Sequence, residues 1–182
     1  MFVAGLLVLV TLLDQITKYW VWRDFRLGEA RTVIPGLLDL RYIRNEGAAW
    51  GMFSGHRWPL IAVSVVMLVL LIAHRREIQA LGRLGALALG LLGGGILGNL
   101  IDRVRYGYVV DFLDFHWGSS HFPAFNIADS SICLGVALYM ILSFFPPRRR
   151  ADEPSRAQDT VVVPLDSGAV YERLKLVPDV RL

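Results

Sequence analysis

At 182 residues, 54% of them apolar and only 19% charged, with mean hydropathy +0.47, the chain has more apolar surface than one soluble core of this size needs, which points to the membrane class. The net charge of +3 sits on residues that flank apolar segments, with no nucleic-acid motif beside them, so a nucleic-acid partner is not expected. A single cysteine, Cys133, excludes an internal disulfide.

A hydrocarbon core of about 30 Å takes about 20 apolar residues per helix, and four stretches approach that length: 2–22, 58–73, 84–101 and 127–145. Met52, Phe53 and Val104 can extend the middle two. The first stretch lacks a basic leader and a small-residue cleavage site, and Asp14, Gln15 and Lys18 interrupt it. It therefore reads as a retained helix and not a cleaved signal. Asp14 and Lys18 are four apart and can pair, tying the bundle together.

Between the first two helices, Pro35-Gly36 and the spacing of Leu38, Leu40 and Tyr42 predict short strands within an external β segment, 30–50. Trp20, Trp22, Trp50 and Trp58 fit an interfacial aromatic belt around it. The run Asn45-Glu46-Gly47-Ala48-Ala49-Trp50-Gly51 is either an ordinary loop or a place where a ligand approaches the backbone closely.

In the third helix, Gly93-Gly94-Gly95 and Gly98 lack the Lys-Ser/Thr of a phosphate loop and predict close helix packing in lipid. That packing would carry Asn99 toward the fourth helix. Asn99, Asp102 and Arg103 share one helical face, and Asn126, Asp129 and Ser130 share another. If the two faces meet, a polar pocket opens at the external interface, beneath a loop, 102–122, that carries Asp111. Ionisable groups at a bilayer boundary are functional candidates, and two converging carboxylates, Asp111 and Asp129, suggest acid/base chemistry on a shared proton. Asp14, Asp102 and Asp114 compete for that role. His56, His74, His116 and His121 match no common zinc spacing, so a metal is not expected. Cys133, flanked by Ile132 and Leu134, reads as a packing residue. Pro146-Pro147 ends the last helix, so 1–147 reads as a membrane-embedded domain and 148–182 as a flexible tail.

Lys and Arg near helix ends stay cytoplasmic. The basic segment from Arg75 to Arg83 and the run Arg148-Arg149-Arg150 then put both termini inside and 102–122 outside, although Arg23 to Arg57 places several arginines externally.

Five motifs in order resemble the bacterial lipoprotein signal peptidase family: Asp14-Gln15-Ile16-Thr17-Lys18, the 45–51 run, Gly94-Gly95-Ile96-Leu97-Gly98-Asn99-Leu100-Ile101-Asp102-Arg103, Val109-Val110-Asp111-Phe112 and Phe125-Asn126-Ile127-Ala128-Asp129. The resemblance covers about 12–145. It implies an all-α polytopic protein of the bacterial inner membrane, with four transmembrane helices and a small external sheet between the first two. It implies an aspartic endopeptidase that cuts diacylglyceryl-modified prolipoproteins just before the lipidated cysteine, without a cofactor. Asp111 and Asp129 would be catalytic; Asn45, Gly47, Asn99, Arg103 and Asn126 would contact substrate or shape the site; Asp14, Lys18 and Asp102 would support it. Motif position demotes the competing aspartates. The expected partners are prolipoproteins and membrane lipids, around a monomer. The competing class is a carboxylate-based transporter, which would place its polar residues at mid-membrane with access from both sides.

Overall fold

The computed structural model describes residues 1–47 and 55–145. In chain order the elements are α1 (Phe2–Asp24), β1 (Ala30–Ile34), β2 (Leu38–Asn45), α2 (Arg57–Ala73), α3 (Arg75–Gln79), α4 (Gly82–Tyr106), β3 (Val109–Trp117), β4 (Ser120–His121) and α5 (Ile127–Phe144). The expectations for Ala48 to Gly51, for Met52 and Phe53, and for the tail lie outside the described residues.

Among the described residues three helices are long and apolar enough to cross a membrane: α1, α5 and the 83–106 stretch of α4. The fourth expected span, α2, has 17 residues, about 25 Å at 1.5 Å per residue. Helix α4 is the most buried of the three, and its glycines are the reason. A Cβ on Gly95 would lie 2.5 Å from the Ala128 carbonyl of α5, and one on Gly98 would lie 2.5 Å from Asp14 Oδ2 of α1. Small residues thus let both neighbours approach the α4 backbone, as close packing in lipid requires. From α1, Val10, Thr11, Asp14, Lys18 and Val21 form the buried stripe, a helical period with polar members. Only Leu60 of α2 is buried.

Helix α4 runs to Tyr106, beyond the expected end at residue 101. Its last turn is polar enough to escape an apolar-run criterion, and it stops where Gly107 takes a left-handed φ of 82° and donates its N–H to the Arg103 carbonyl. The five-residue α3 was not expected; it is too short to carry a periodic signal.

The strands form one antiparallel sheet in the order β1-β2-β3-β4. At the expected turn, Pro35-Gly36 separates β1 from β2; Gly36 has φ 75° and Leu37 N–H donates to the Ile34 carbonyl. A proline at the second and a positive-φ glycine at the third position suit a type II turn. Two expectations need correction here. The segment 102–122 is not a loop: it completes α4 and then supplies β3 and β4. The chain is accordingly not all-α, and the sheet is not confined to the α1–α2 connection. The cause is burial on both faces. Val110 and Phe112 join Val21, Phe25 and Tyr42 in an apolar cluster, while Val109 and Asp111 line a cavity on the opposite face. A strand covered on both sides reads as a continuous apolar run without alternation.

The β2–β3 register slips by one residue between Leu40 and Ile43. Leu40 pairs with Leu113, whereas Ile43 pairs with Asp111 and Asn45 with Val109. Without that bulge Asp111 would face Tyr42, and Asn45 would project from the other side of the sheet. The bulge sets Asn45 and Asp111 on one face as diagonal neighbours.

Candidate active site

Asp111, 1% exposed, receives two amides: Asn45 Nδ2 donates to its Oδ2 at 2.9 Å and Asn126 Nδ2 to its Oδ1 at 2.7 Å. The first contact depends on the bulge. The second depends on residues 123–126 running beside β3, where the Phe125 carbonyl accepts from Phe112 N–H and Leu113 N–H and Phe125 N–H donates to Leu113. Burial, and next the negative charge of Asp129, push the Asp111 carboxyl up to about 7, against the opposing effect of its two amide donors.

Asp129 is the third residue of α5 and Asn126 its N-cap, with extended backbone at φ −136°. The Asn126 side-chain oxygen accepts from Asp129 N–H at 2.9 Å, and Asp129 Oδ2 accepts from Asn126 N–H at 3.3 Å. The helix start is thereby a reciprocal capping box. One amide consequently bridges the two acids, its oxygen holding the Asp129 backbone and its nitrogen the Asp111 carboxylate. Asn99 holds Asp129 from α4, donating to Oδ1 at 2.7 Å, and its oxygen accepts from Asn126 Nδ2 at 3.2 Å.

Behind Asn99 lies a buried ion cluster. Lys18 Nζ is 2.8 Å from Asp14 Oδ2, 3.0 Å from Asp102 Oδ2 and 2.8 Å from Asn99 Oδ1. The remaining carboxylate oxygens are used as well. Asp14 Oδ1 accepts from Ala128 N–H and Asp102 Oδ1 from Gln15 Nε2 at 2.8 Å, while Asp102 Oδ2 accepts from Val110 N–H besides meeting Lys18. Full satisfaction of this kind is what a charged cluster needs away from water. The cluster joins α1, α4, β3 and the start of α5 directly beneath the two acids.

Asp111 and Asp129 open onto a cavity of about 890 Å³ whose polar wall includes Asn45, Gly47, Asn99 and Arg103 and whose apolar wall includes Phe122, Phe125 and Ile132. Its mixed lining suits a ligand with an apolar body and a few fixed polar contacts. Arg103 Nη2 donates to the Gly47 carbonyl at 3.3 Å, and Gly47 N–H donates to Asn45 Oδ1 at 3.0 Å. The end of β2 is thus tied to α4 across the cavity mouth.

Asn45, Gly47, Asn99, Arg103, Asp111 and Asp129 all line the cavity. Asn126, fully buried, stands behind the acids. Asp14, Lys18 and Asp102 form the buried cluster and not the cavity wall. Asp114 projects from the other face of β3, where it pairs with His121 Nδ1 at 2.8 Å and Arg41 at 3.3 Å. Cys133 departs from expectation: it is exposed and borders the cavity, so it is not a packing residue. Gln15, inside the first motif, also belongs to the ion cluster, a place its spacing from Asp14 and Lys18 does not predict. Its signal was a second long polar side chain next to Asp14 in an apolar helix.

The signal peptidase (SPase) II family profile matches residues 6–145. The lipoprotein signal peptidase of Shewanella pealeana is 49% identical over 142 residues, covering 75% of this chain and 82% of its own. That of Syntrophotalea carbinolica is 47% identical over 139 residues, covering 73% and 84%. A solved bacterial membrane enzyme superposes with a TM-score of 0.72 at 37% identity, over 79% of this chain and 87% of that one. A match that takes in the helices, the sheet and the cavity together leaves one assignment: the chain belongs to the signal peptidase II family of aspartic peptidases, proteases that are multi-pass membrane proteins.

Proposed function

We propose that this protein removes the signal peptide from diacylglyceryl-modified prolipoproteins, cutting just before the lipidated cysteine, with Asp111 and Asp129 as an acid/base dyad. The observation that carries the reading is that both carboxylates open on one cavity while a single residue, Asn126, donates to each of them, its side-chain Nδ2 to Asp111 and its backbone N–H to Asp129. The ionised member takes a proton from water as the water oxygen bonds to the scissile carbonyl carbon. The protonated member donates to the developing oxyanion. Collapse of that intermediate breaks the carbon–nitrogen bond, and the proton gained from water passes to the leaving amine of the cysteine. The proton is shared, so the pair titrates as a unit.

Asn99 and Asn126 hold the acids, Asn45, Gly47 and Arg103 shape the mouth, and Asp14, Lys18 and Asp102 brace the floor. The apolar wall suits the diacylglyceryl group, and the relatives' name, lipoprotein signal peptidase, supports this substrate class. The membrane domain spans 1–147 with four crossing helices, α2 being the shortest. It lies in the bacterial inner membrane with both termini cytoplasmic. The sheet and dyad then face outward, and the basic α2–α4 connection, with Arg75, Arg76 and Arg83, faces inward.

In the test, full-length Asp111→Asn and Asp129→Asn are placed in micelles with a lipidated prolipoprotein. Both variants should unfold near the wild-type temperature yet release signal peptide at least about a thousandfold more slowly, the size of losing an essential acid/base group. Near-normal release by either one would remove that residue from the chemistry.

A further inference from the structure

A second cavity, of about 430 Å³, lies between α1 and α4 and takes none of the dyad residues into its walls. Leu12, Ile16 and Tyr19 of α1 form one side, at helical spacing, and Arg105 and Tyr106 of α4 form the outer part of the other. Ile16 and Tyr19 are 62% and 57% exposed, so among the described residues no helix covers this face. From Leu12 to Trp22 the groove runs ten residues along α1, about 15 Å, which is about one leaflet of hydrocarbon.

The polar floor has little to offer an occupant. Gln15 Nε2 already donates to Asp102 and to the Gly98 carbonyl, and Lys18 is held by Asp14, Asp102 and Asn99. What remains is an apolar wall below and a cation above. That cation is Arg105, in the last turn of α4, whose guanidinium lies 5.2 Å from the Tyr106 ring centre and forms no ion pair with a carboxylate among the described residues. Arg23, near the same end of α1, is instead spent on Asp24 at 2.6 Å. Tyr19 and Trp22 stack at 6.0 Å near the level of Arg105, as aromatic rings do at a head-group boundary.

We propose that the α1–α4 groove binds one anionic phospholipid of the outer leaflet, its phosphate on Arg105 and an acyl chain along Leu12 and Ile16. Charge complementarity selects the head group, and length and apolarity select the chain. The inference rests on the outward orientation given under the proposed function, but not on the peptidase chemistry. A lipid seated there covers the outer surface of the Gln15, Lys18 and Asp102 cluster and keeps water from it.

Binding is read without any substrate, by native mass spectrometry of the full-length protein titrated with phosphatidylglycerol or phosphatidylcholine. Wild type should retain one phosphatidylglycerol in preference to phosphatidylcholine. Arg105→Gln should weaken phosphatidylglycerol retention about fivefold, the value of one basic residue at an anionic membrane surface, and leave phosphatidylcholine unchanged. Ile16→Trp, which fills the groove, should lower the bound phosphatidylglycerol while the fold, followed by circular dichroism, is kept. Glycerol 3-phosphate, a head group without chains, should not displace the lipid. Equal retention of the two lipids, indifference to Arg105→Gln in a folded protein, or displacement by glycerol 3-phosphate would each overturn the proposal. Loss of cleavage with lipid retention intact would count against the peptidase reading alone.

Discussion

At the scale of single residues the most informative group is Asp111. Its carboxyl rises from an ordinary 3.8 to about 7 because it is buried beside a second acid. A group with a higher folded than unfolded pKa takes up a proton on folding, so Asp111 costs nothing in acid and subtracts stability as pH climbs from about 4 to about 7. In the proposed mechanism the dyad needs one proton. Initial-rate kcat/KM should therefore decline above about pH 7, approaching tenfold per pH unit. A rate that is flat to pH 9 would contradict a shared proton. Asp129→Asn offers an independent check, because it removes the neighbouring charge that is the second cause of the shift. Infrared difference spectra should then place the Asp111 titration below that of the wild type. An unmoved midpoint would mean that the two acids do not sense each other.

At the scale of elements, what the sequence disclosed and what it hid divide along physical lines. The helices were readable because a bilayer demands long apolar runs. The Asn99–Asp102 and Asn126–Asp129 faces were readable because helical spacing fixes which side chains share a side. The β1–β2 turn was readable from Pro35-Gly36. Strand β3 was not, since its two buried faces erase alternation. The Asn45–Asp111 contact was not either: it depends on a one-residue slip in register that no local pattern encodes. The expected packing role of the glycines can be tested position by position. Gly95→Ala would put a methyl group 2.5 Å from the Ala128 carbonyl and 2.8 Å from Ile132 Cγ1. Backbone cannot yield there without moving α5, so a cost of about 1–3 kcal/mol and weaker cleavage are expected as Asn126 and Asp129 shift from Asn99. Gly93→Ala meets mainly Leu7 Cδ1 at 2.8 Å, the mobile end of a side chain. It should cost less than half as much in the same thermal-unfolding series, and equal costs would refute the close-approach account.

At the scale of the molecule, Lys18 is the point where the separate parts become one. Its ammonium is the counter-charge shared by acids from α1 and α4, and it reaches Asp129 through Asn99. The same two acids accept the N–H groups of Ala128 and Val110, at the start of α5 and in β3. Removing only the cation leaves two buried carboxylates without a counter-charge, a loss of about 3–5 kcal/mol. Lys18→Met should thus lower the unfolding temperature in micelles sharply. Stability alone would not separate bracing from a role in the site, but a triple variant does. In Asp14→Asn/Lys18→Met/Asp102→Asn no charge remains to be compensated, and the Asn oxygens can still accept from Ala128 and Val110. Most of the lost stability should return. Asn99, however, has lost the shorter of the two donors to its oxygen, Lys18 Nζ at 2.8 Å, and keeps only Asn126 Nδ2 at 3.2 Å; its orientation toward Asp129 loosens, and cleavage of a lipidated substrate should stay depressed by tenfold or more. Recovery of both stability and rate would reduce the cluster to scaffolding, whereas recovery of stability alone would show that the ion cluster beneath the cavity also positions the acids above it.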